Sequence, residues 1–270
     1  MTSAALGERG RPPILDAIDV ATARQRLWFR AQYVAVWIAL IGLLLLGLWV
    51  TGNFDTEWIR EWGPYIVGGA GITILVCVIS MIMATTLAIA GAIARLSRNG
   101  LASGVAGLYV SLVRGTPLLV QIYFVFLALP QVGIVLPGLA AGILALGFNY
   151  GAYMTEIFRA GIQAVPRAQR EAAESLGMPE RLVMRRVVLP QAVRIVIPAI
   201  GNDFVAMIKD SALVSTIGVT ELLWRAEAVG TRHFKTLQAI LSAAAIYWGL
   251  TIIFSFFQER LERRMARGDR

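Results

Sequence analysis

Glu171-Ala-Ala-Glu-Ser-Leu-Gly177, followed by Met178-Pro179-Glu180-Arg181 and a run ending Val187-Val-Leu-Pro190, is the stretch whose reading decides the fold. It is the longest charged interval in a chain that is otherwise strongly apolar. Pro166 suits the first turn of a helix and Gly177 its C-terminal cap, so a helix is expected over about 166–177. The pairs Arg167/Glu171 and Arg170/Glu174 sit at i,i+4 but run basic-then-acidic, the weaker order, against the helix dipole. Ala168, Ala172 and Ser175 make a small-residue face. Pro179 starts a second helical piece, which Pro190 ends or kinks. A short helix with one smooth and one charged face is either a solvated loop helix or a fit for a groove on another protein.

Composition sets the surroundings of that stretch. Of 270 residues, 57% are hydrophobic and 16% charged, with a mean hydropathy of +0.66. Repeated apolar runs near the length that crosses a bilayer make this an all-α integral membrane chain. Its net charge of +8 fits basic residues retained on the cytoplasmic side, so no nucleic acid partner is expected. Cys77 is the only cysteine and His233 the only histidine, which argues against a disulfide, a metal site and a Ser-His or Cys-His hydrolase. The only lysines, Lys209 and Lys235, do not follow a glycine, so the chain carries no phosphate-binding loop.

Outward from the charged interval the chain reads as spans and loops. Residues 1–33 are a polar leader with Arg9, Arg11, Arg24, Arg26 and Arg30. Residues 34–50 are long for a signal-peptide core and precede no Ala-x-Ala site, so they read as a retained first span. Residues 51–63, with Asp55, Glu57, Glu61, Trp58 and Trp62, form an acidic aromatic loop. In the second span, 65–94, Ser80, Ala84, Ala88 and Ala92 repeat at i+4 and offer a smooth stripe to another helix. A polar segment, 95–107, leads to a third span over roughly 108–129, with a kink or break at Pro117. The fourth span, 139–158, carries the close-packing pairs Gly138/Gly142 and Gly147/Gly151, together with Asn149, Tyr150, Tyr153 and Glu156. The fifth runs from 195 to about 217 and the sixth over 237–257, with a short amphipathic helix at 220–229 stopped by Gly230 between them. Six spans put both termini on one side, and the arginine-rich segments 1–33, 95–98, 159–194 and 260–270 share it. Both termini and the Glu171 stretch are therefore expected in the cytoplasm.

Spacing sharpens the reading of the opening stretch. Glu171-Ala172-Ala173, three residues, Gly177, nine residues, then Val187-x-Leu189-Pro190 resembles the EAA signature of ATP-binding-cassette importer permeases, with valine standing for the usual isoleucine. Arg114-Gly-Thr-Pro-Leu-Leu-Val-Gln121, Glu156-Ile-Phe-Arg-Ala-Gly-Ile162 and the run from Gly201 to Ser215 resemble the polar amino acid branch, so the likeness spans roughly 65–260. The resemblance implies a type I importer permease core of five helices, here with one N-terminal helix added. It implies two permease subunits as a homo- or heterodimer, two ATP-binding subunits and an extracytoplasmic amino acid-binding protein. No cofactor is expected in this chain, since ATP belongs to the partner ATPase. That partner docks on the EAA helix, here Arg170, Glu171, Ala172, Ala173, Ser175 and Gly177. The domains are then the leader 1–33, an extra helix and loop 34–64, the permease domain 65–260 and a basic tail 261–270. The leader and first span depart from the many members that have five spans and begin outside.

Polar residues within spans are candidates for the solute pathway. Asn202 and Asp203 fall near the middle of the fifth span, and Lys209 and Asp210 follow one each seven residues on, nearly two turns later. Asp203 and Lys209 could hold the ammonium and carboxylate of an amino acid, or Lys209 and Asp210 could pair locally at the interface. Asn149 either lines the same cavity or makes a helix-to-helix hydrogen bond. Glu156 and Arg159 read as an i,i+3 ion pair, and Arg114 as an anchor at the cytoplasmic side. By position alone, Trp224 and its helix are candidates to face the binding protein. Two rival readings are an ion-coupled transporter or channel that needs no ATPase, and an intramembrane enzyme that would depend on His233.

Overall fold

A computed structural model describes residues 13–50 and 55–266, all helices and connecting turns. The expected arginines Arg9 and Arg11, the loop residues 51–54 and the last four residues of the tail lie outside them. Two units emerge, 1–56 and 57–270. The first is a single helix, α1 (Pro13–Val50), of 38 residues. Leader and first span are thus one continuous helix where described, and the stretch apolar enough to cross a membrane is Arg24–Gly47. Phe29, Tyr33 and Trp37, spaced at i,i+4, stack along it with ring centroids 6.4 and 5.7 Å apart.

The second unit opens with α2 (Thr56–Val67) and α3 (Gly69–Leu96). Most of the region expected as an acidic loop is therefore helical. The predicted small-residue stripe on α3 is buried throughout, at Ser80, Ala84, Ala88 and Ala92. It meets α6 (Gly138–Gln163), whose Gly142, Gly147 and Gly151 are buried in turn. Contact is close enough that a methyl group at Gly91 would collide with Thr155 of α6. Val76, Cys77, Leu146, Met154, Met207 and Ile208 fill the core where α3 and α6 meet α9 (Leu189–Asp210).

Between α3 and α6 the chain makes α4 (Gly100–Arg114) and α5 (Leu118–Tyr123), then a π turn and a 3-10 turn to Val132. Asn99 caps α4 by accepting from the N–H groups of Leu101 (2.9 Å) and Ala102 (3.3 Å). The segment expected as a polar loop is thus largely the start of a helix. The predicted kink at Pro117 is a turn of 108°. Pro117 lacks an N–H and forces Thr116 away from helical angles, so the last carbonyls of α4 need other donors. Two side chains supply them: the Gln121 amide reaches the Val113 carbonyl (2.8 Å) as well as that of Thr116 (3.1 Å), and the Thr116 hydroxyl donates to the Leu112 carbonyl (3.0 Å).

After α6 come α7 (Arg167–Ser175), α8 (Glu180–Val183), a π turn, α9, a 3-10 segment to Ile217, α10 (Leu222–Arg232) and α11 (Thr236–Ala266). The surface helix predicted to stop at Gly230 runs on to Arg232. Gly230 instead lets α11 approach, a Cβ there falling 2.7 Å from that of Ala239. The chain turns at Phe234, which takes a left-handed φ of 55°.

Four helical stretches are long and apolar enough to cross a membrane, and the bent α4–α5 pair brings this to five. The expected count is six. The missing one is α6, whose 26 residues measure about 39 Å and suffice by length. It falls short on apolarity because its buried faces are rich in glycine, alanine and polar residues such as Asn149, Tyr150 and Thr155, packed against neighbouring helices. Substituting Gly91→Val is expected to lower stability by about 1–3 kcal/mol, the usual cost of overpacking. Thermal unfolding in detergent measures it, and Thr155→Ala in the same chain should restore part of the loss.

Candidate translocation and coupling site

α7 closes on Gly177, whose φ of 77° suits a residue without a Cβ. The Gly177 N–H bonds the Glu174 carbonyl at 2.8 Å and the Met178 N–H bonds that of Ala173 at 3.2 Å. Together these satisfy the free carbonyls of the helix end. Beneath the helix, Ala173 and Met178 join Val165, Val183, Val188 and Ala192 in a small apolar cluster. Arg170 donates to the Ile162 carbonyl of α6 at 2.7 Å, and Gln191 of α9 donates to the Gln169 side chain. α7 is therefore fastened to α6 and α9 at once. Its opposite face is open, with Arg167, Ala168, Glu171, Ala172 and Ser175 exposed and Leu176 83% exposed.

Of the residues expected to seat a partner, Glu171, Ala172, Ser175 and Gly177 thus face outward, while Ala173 and Arg170 hold the helix to its own chain. Neither of the i,i+4 charge pairs noted on α7 forms an ion pair among the described residues. The reversed charge order made both weak, and α6 takes Arg170.

The polar residues of α6 and α9 divide into two sets. Asp203 and Asp210 turn toward α6, where the Tyr150 hydroxyl donates to Asp210 at 2.7 Å. Asp203 Oδ2 is buried and has no hydrogen-bond partner. Asn202 and Lys209 are exposed on another face of α9, and Asn202 accepts from Gln258 of α11 at 2.7 Å. The seven-residue spacing leads us to expect all four positions on one face of α9, and they divide between two. Six residues turn a helix through about 240°, whereas seven nearly close two turns, so the faces pair Asn202 with Lys209 and Asp203 with Asp210. Asn149 is buried and donates to Gln121 at 3.2 Å, which ties α6 to the α4–α5 turn and is the helix-to-helix bond anticipated as one alternative. Glu156 accepts from Arg159 at 2.7 Å, as expected, and also meets Arg95 of α3 at 3.4 Å. The Arg114 guanidinium lies 5.2 Å from the Tyr153 ring centroid.

At the other end of the unit is a junction that sequence reasoning missed. Glu221 is fully buried. Its carboxyl caps α10 by accepting from the Trp224 N–H at 2.9 Å, lies 3.2 Å from the Thr73 hydroxyl of α3, and accepts from the Tyr247 hydroxyl of α11. Gly69 makes room, since a Cβ there would sit 2.6 Å from Leu222 Cα. One carboxyl therefore joins three helices. The signal was legible in principle, an acidic residue one position before an amphipathic helix. On the outward side of α10, Trp224, Glu227, Ala228, Thr231 and Arg232 line a shallow depression of about 480 Å³. His233 stacks on Trp62 with ring centroids 4.6 Å apart.

The profile of binding-protein-dependent transport system inner membrane components matches residues 87–267. The chain belongs to this family of membrane transport components. Relatives include the L-cystine transport system permease protein TcyB of Bacillus subtilis (strain 168), 39% identical over 77% of this chain and 89% of its own. The arginine transport system permease protein ArtQ of the same organism is 35% identical over 76% of this chain and 94% of its own. Among solved structures, an amino acid ABC transporter determined with histidines superimposes with a TM-score of 0.76 at 36% identity, covering 78% of this chain and 99% of that one. The inward-facing MetNI methionine ABC transporter shares the fold, with a TM-score of 0.61 at 16% identity over 78% of this chain and 99% of its own. Family and fold together make the chain the membrane-spanning permease of an ABC importer, a transport subunit.

Burial pushes the Glu221 carboxyl above its ordinary 4.5, and the hydrogen bonds from Tyr247, Trp224 and Thr73 offset this only in part. The folded state then holds its proton to higher pH than the unfolded chain. The stability it contributes is complete below the unfolded value and is lost as pH rises through the raised one. Glu221→Gln, which keeps an acceptor, should flatten the thermal-unfolding midpoint across that window. Glu221→Ala leaves the Tyr247 hydroxyl and the Trp224 N–H without their partner and should cost about 2–4 kcal/mol at low pH, less as pH rises through the raised value.

Proposed function

We propose that this chain imports a polar amino acid, with α7 as the seat of a separate ATP-binding subunit and α9 as a wall of the pathway. The observation that carries the reading is α7 itself, held to α6 and α9 by Ala173, Arg170 and Gln169 while Glu171, Ala172, Ser175 and Gly177 face outward. A load applied to that outer face reaches both helices that carry intramembrane polar groups. The cystine and arginine transport named for two relatives, and the histidines of the similar structure, support an amino acid as the cargo.

The working unit is two permeases, as a homo- or heterodimer, with two ATP-binding subunits and an extracytoplasmic amino acid-binding protein. ATP is held by the partner, and this chain needs no cofactor of its own. Closure of the ATPase pair moves the two α7 helices, which swing α6 and α9 and open the cavity outward. Asp203, with an oxygen left free, meets the ammonium of the cargo. The exposed Asn202 and Lys209 meet its carboxylate from the opening between subunits. Asn149 and Asp210, each already bonded, set the positions of Gln121 and Tyr150 along the same wall. The binding protein approaches from the side of α10 and its Trp224 depression. The bias of arginine to one side supports cytoplasmic termini in an inner membrane.

Reconstitution of the permease with its ATPase and binding protein tests this reading. Glu171→Lys and Gly177→Arg should each reduce ATP-driven uptake by more than about tenfold while the protein stays in the membrane. Asp203→Asn should reduce uptake while ATPase docking remains intact. Unchanged uptake in the two α7 variants, or uptake by this chain without any ATPase, overturns the assignment.

A further inference from the structure

A groove of about 800 Å³ runs between α3 and α9, with Phe158 and Ile162 of α6 at its floor. Its walls are Ile89, Ile93 and Leu96 on α3 and Val193, Val196 and Ile197 on α9. Two polar side chains that line it are already satisfied. The Thr85 hydroxyl donates to the Met81 carbonyl at 2.8 Å, and Ser97 Oγ accepts from the Asn99 N–H at 3.0 Å. Apart from the Ser97 hydroxyl at its exposed end, nothing polar is offered along its length, which sets it apart from the Asp203 region and suits an aliphatic chain rather than a zwitterion. Along α3 the lining extends from Thr85 to Ser97, about 18 Å at the helical rise. That is close to half of a hydrocarbon core of ~30 Å, the depth of one leaflet.

The end of the groove at Ser97 and Met184 is basic. Arg98 follows Ser97, and Arg185 follows Met184; both are exposed. Among the described residues neither takes part in an ion pair. An apolar slot one leaflet deep with unpaired guanidinium groups at its polar end complements one class of molecule. We propose that this groove binds an anionic phospholipid, with an acyl chain against Ile93 and Val193 and the headgroup phosphate at Arg98 and Arg185. Guanidinium suits phosphate through its forked donors. The α7 anchor residues Ile162 and Ala192 also line the groove, so an occupying lipid props the base of α7. The proposal rests only on the chain lying in a bilayer and stands or falls apart from the identity of the cargo.

Native mass spectrometry of the full-length chain in neutral detergent tests it, with dioleoyl phosphatidylglycerol and dioleoyl phosphatidylcholine added in turn. Phosphatidylglycerol should be retained at least about tenfold more than phosphatidylcholine. Arg98→Gln with Arg185→Gln should bring it down to the phosphatidylcholine level, and Ile93→Trp should lower the retention of both lipids. Equal retention of the two lipids by the unsubstituted chain overturns the proposal. So does phosphatidylglycerol retention that survives both sets of substitutions. Loss of self-association in Ile93→Trp with lipid retention unchanged would instead assign the groove to a second copy of the chain, and likewise overturns it.

Discussion

Contact between α3 and α6 is the constraint on which the rest of this structure depends. Lipid tails are as apolar as leucine, so helices in a bilayer gain nothing by hiding apolar surface from water. What remains is close packing, and close packing requires small side chains. The Ser80–Ala92 stripe and the glycines of α6 supply them, and a single methyl at Gly91 would drive the helices apart. With that seam closed, α6 becomes an inner helix and no longer needs the leucine-rich surface of a span. Its polar residues are tolerated because they face protein, where Tyr150 finds Asp210 and Asn149 finds Gln121.

Much of this could be read from residues alone. The stripe on α3 and the caps of α7 are local patterns with direct physical meaning, and both lie where the pattern put them. The break at Pro117 was legible as a break, but not as a turn of 108°. Its sharpness depends on Gln121 replacing the lost donors, and that contact reaches back eight residues to Val113. Asp203 and Lys209 look adjacent on paper, yet 3.6 residues per turn separate them into different faces. Arg170 was read as part of a docking face because its partner is a carbonyl on another helix, which no side-chain pattern records. Glu221 was passed over for the same reason. Its meaning lies in Thr73 and Tyr247, both more than twenty residues away.

The division of α7 into a gripped face and an open face explains why the motif combines small, charged and glycine residues in so short a span. Ala173 must be small to enter the cluster under the helix. Gly177 must turn left-handed to bring Met178 back onto that cluster. Glu171 and Glu174 are left without intramolecular partners among the described residues, so their charge is free for another surface. Two of the three roles serve the fold, and only the last is turned outward.

Leu176 closes the outer end of α7 and is almost wholly bare. Covering a side chain of that size is worth about 2 kcal/mol. Any subunit that covers it stabilises the chain by mass action, in proportion to how far its concentration exceeds its dissociation constant. One exposed leucine at the edge of α7 thus links the stability of the chain to whatever surface covers that helix.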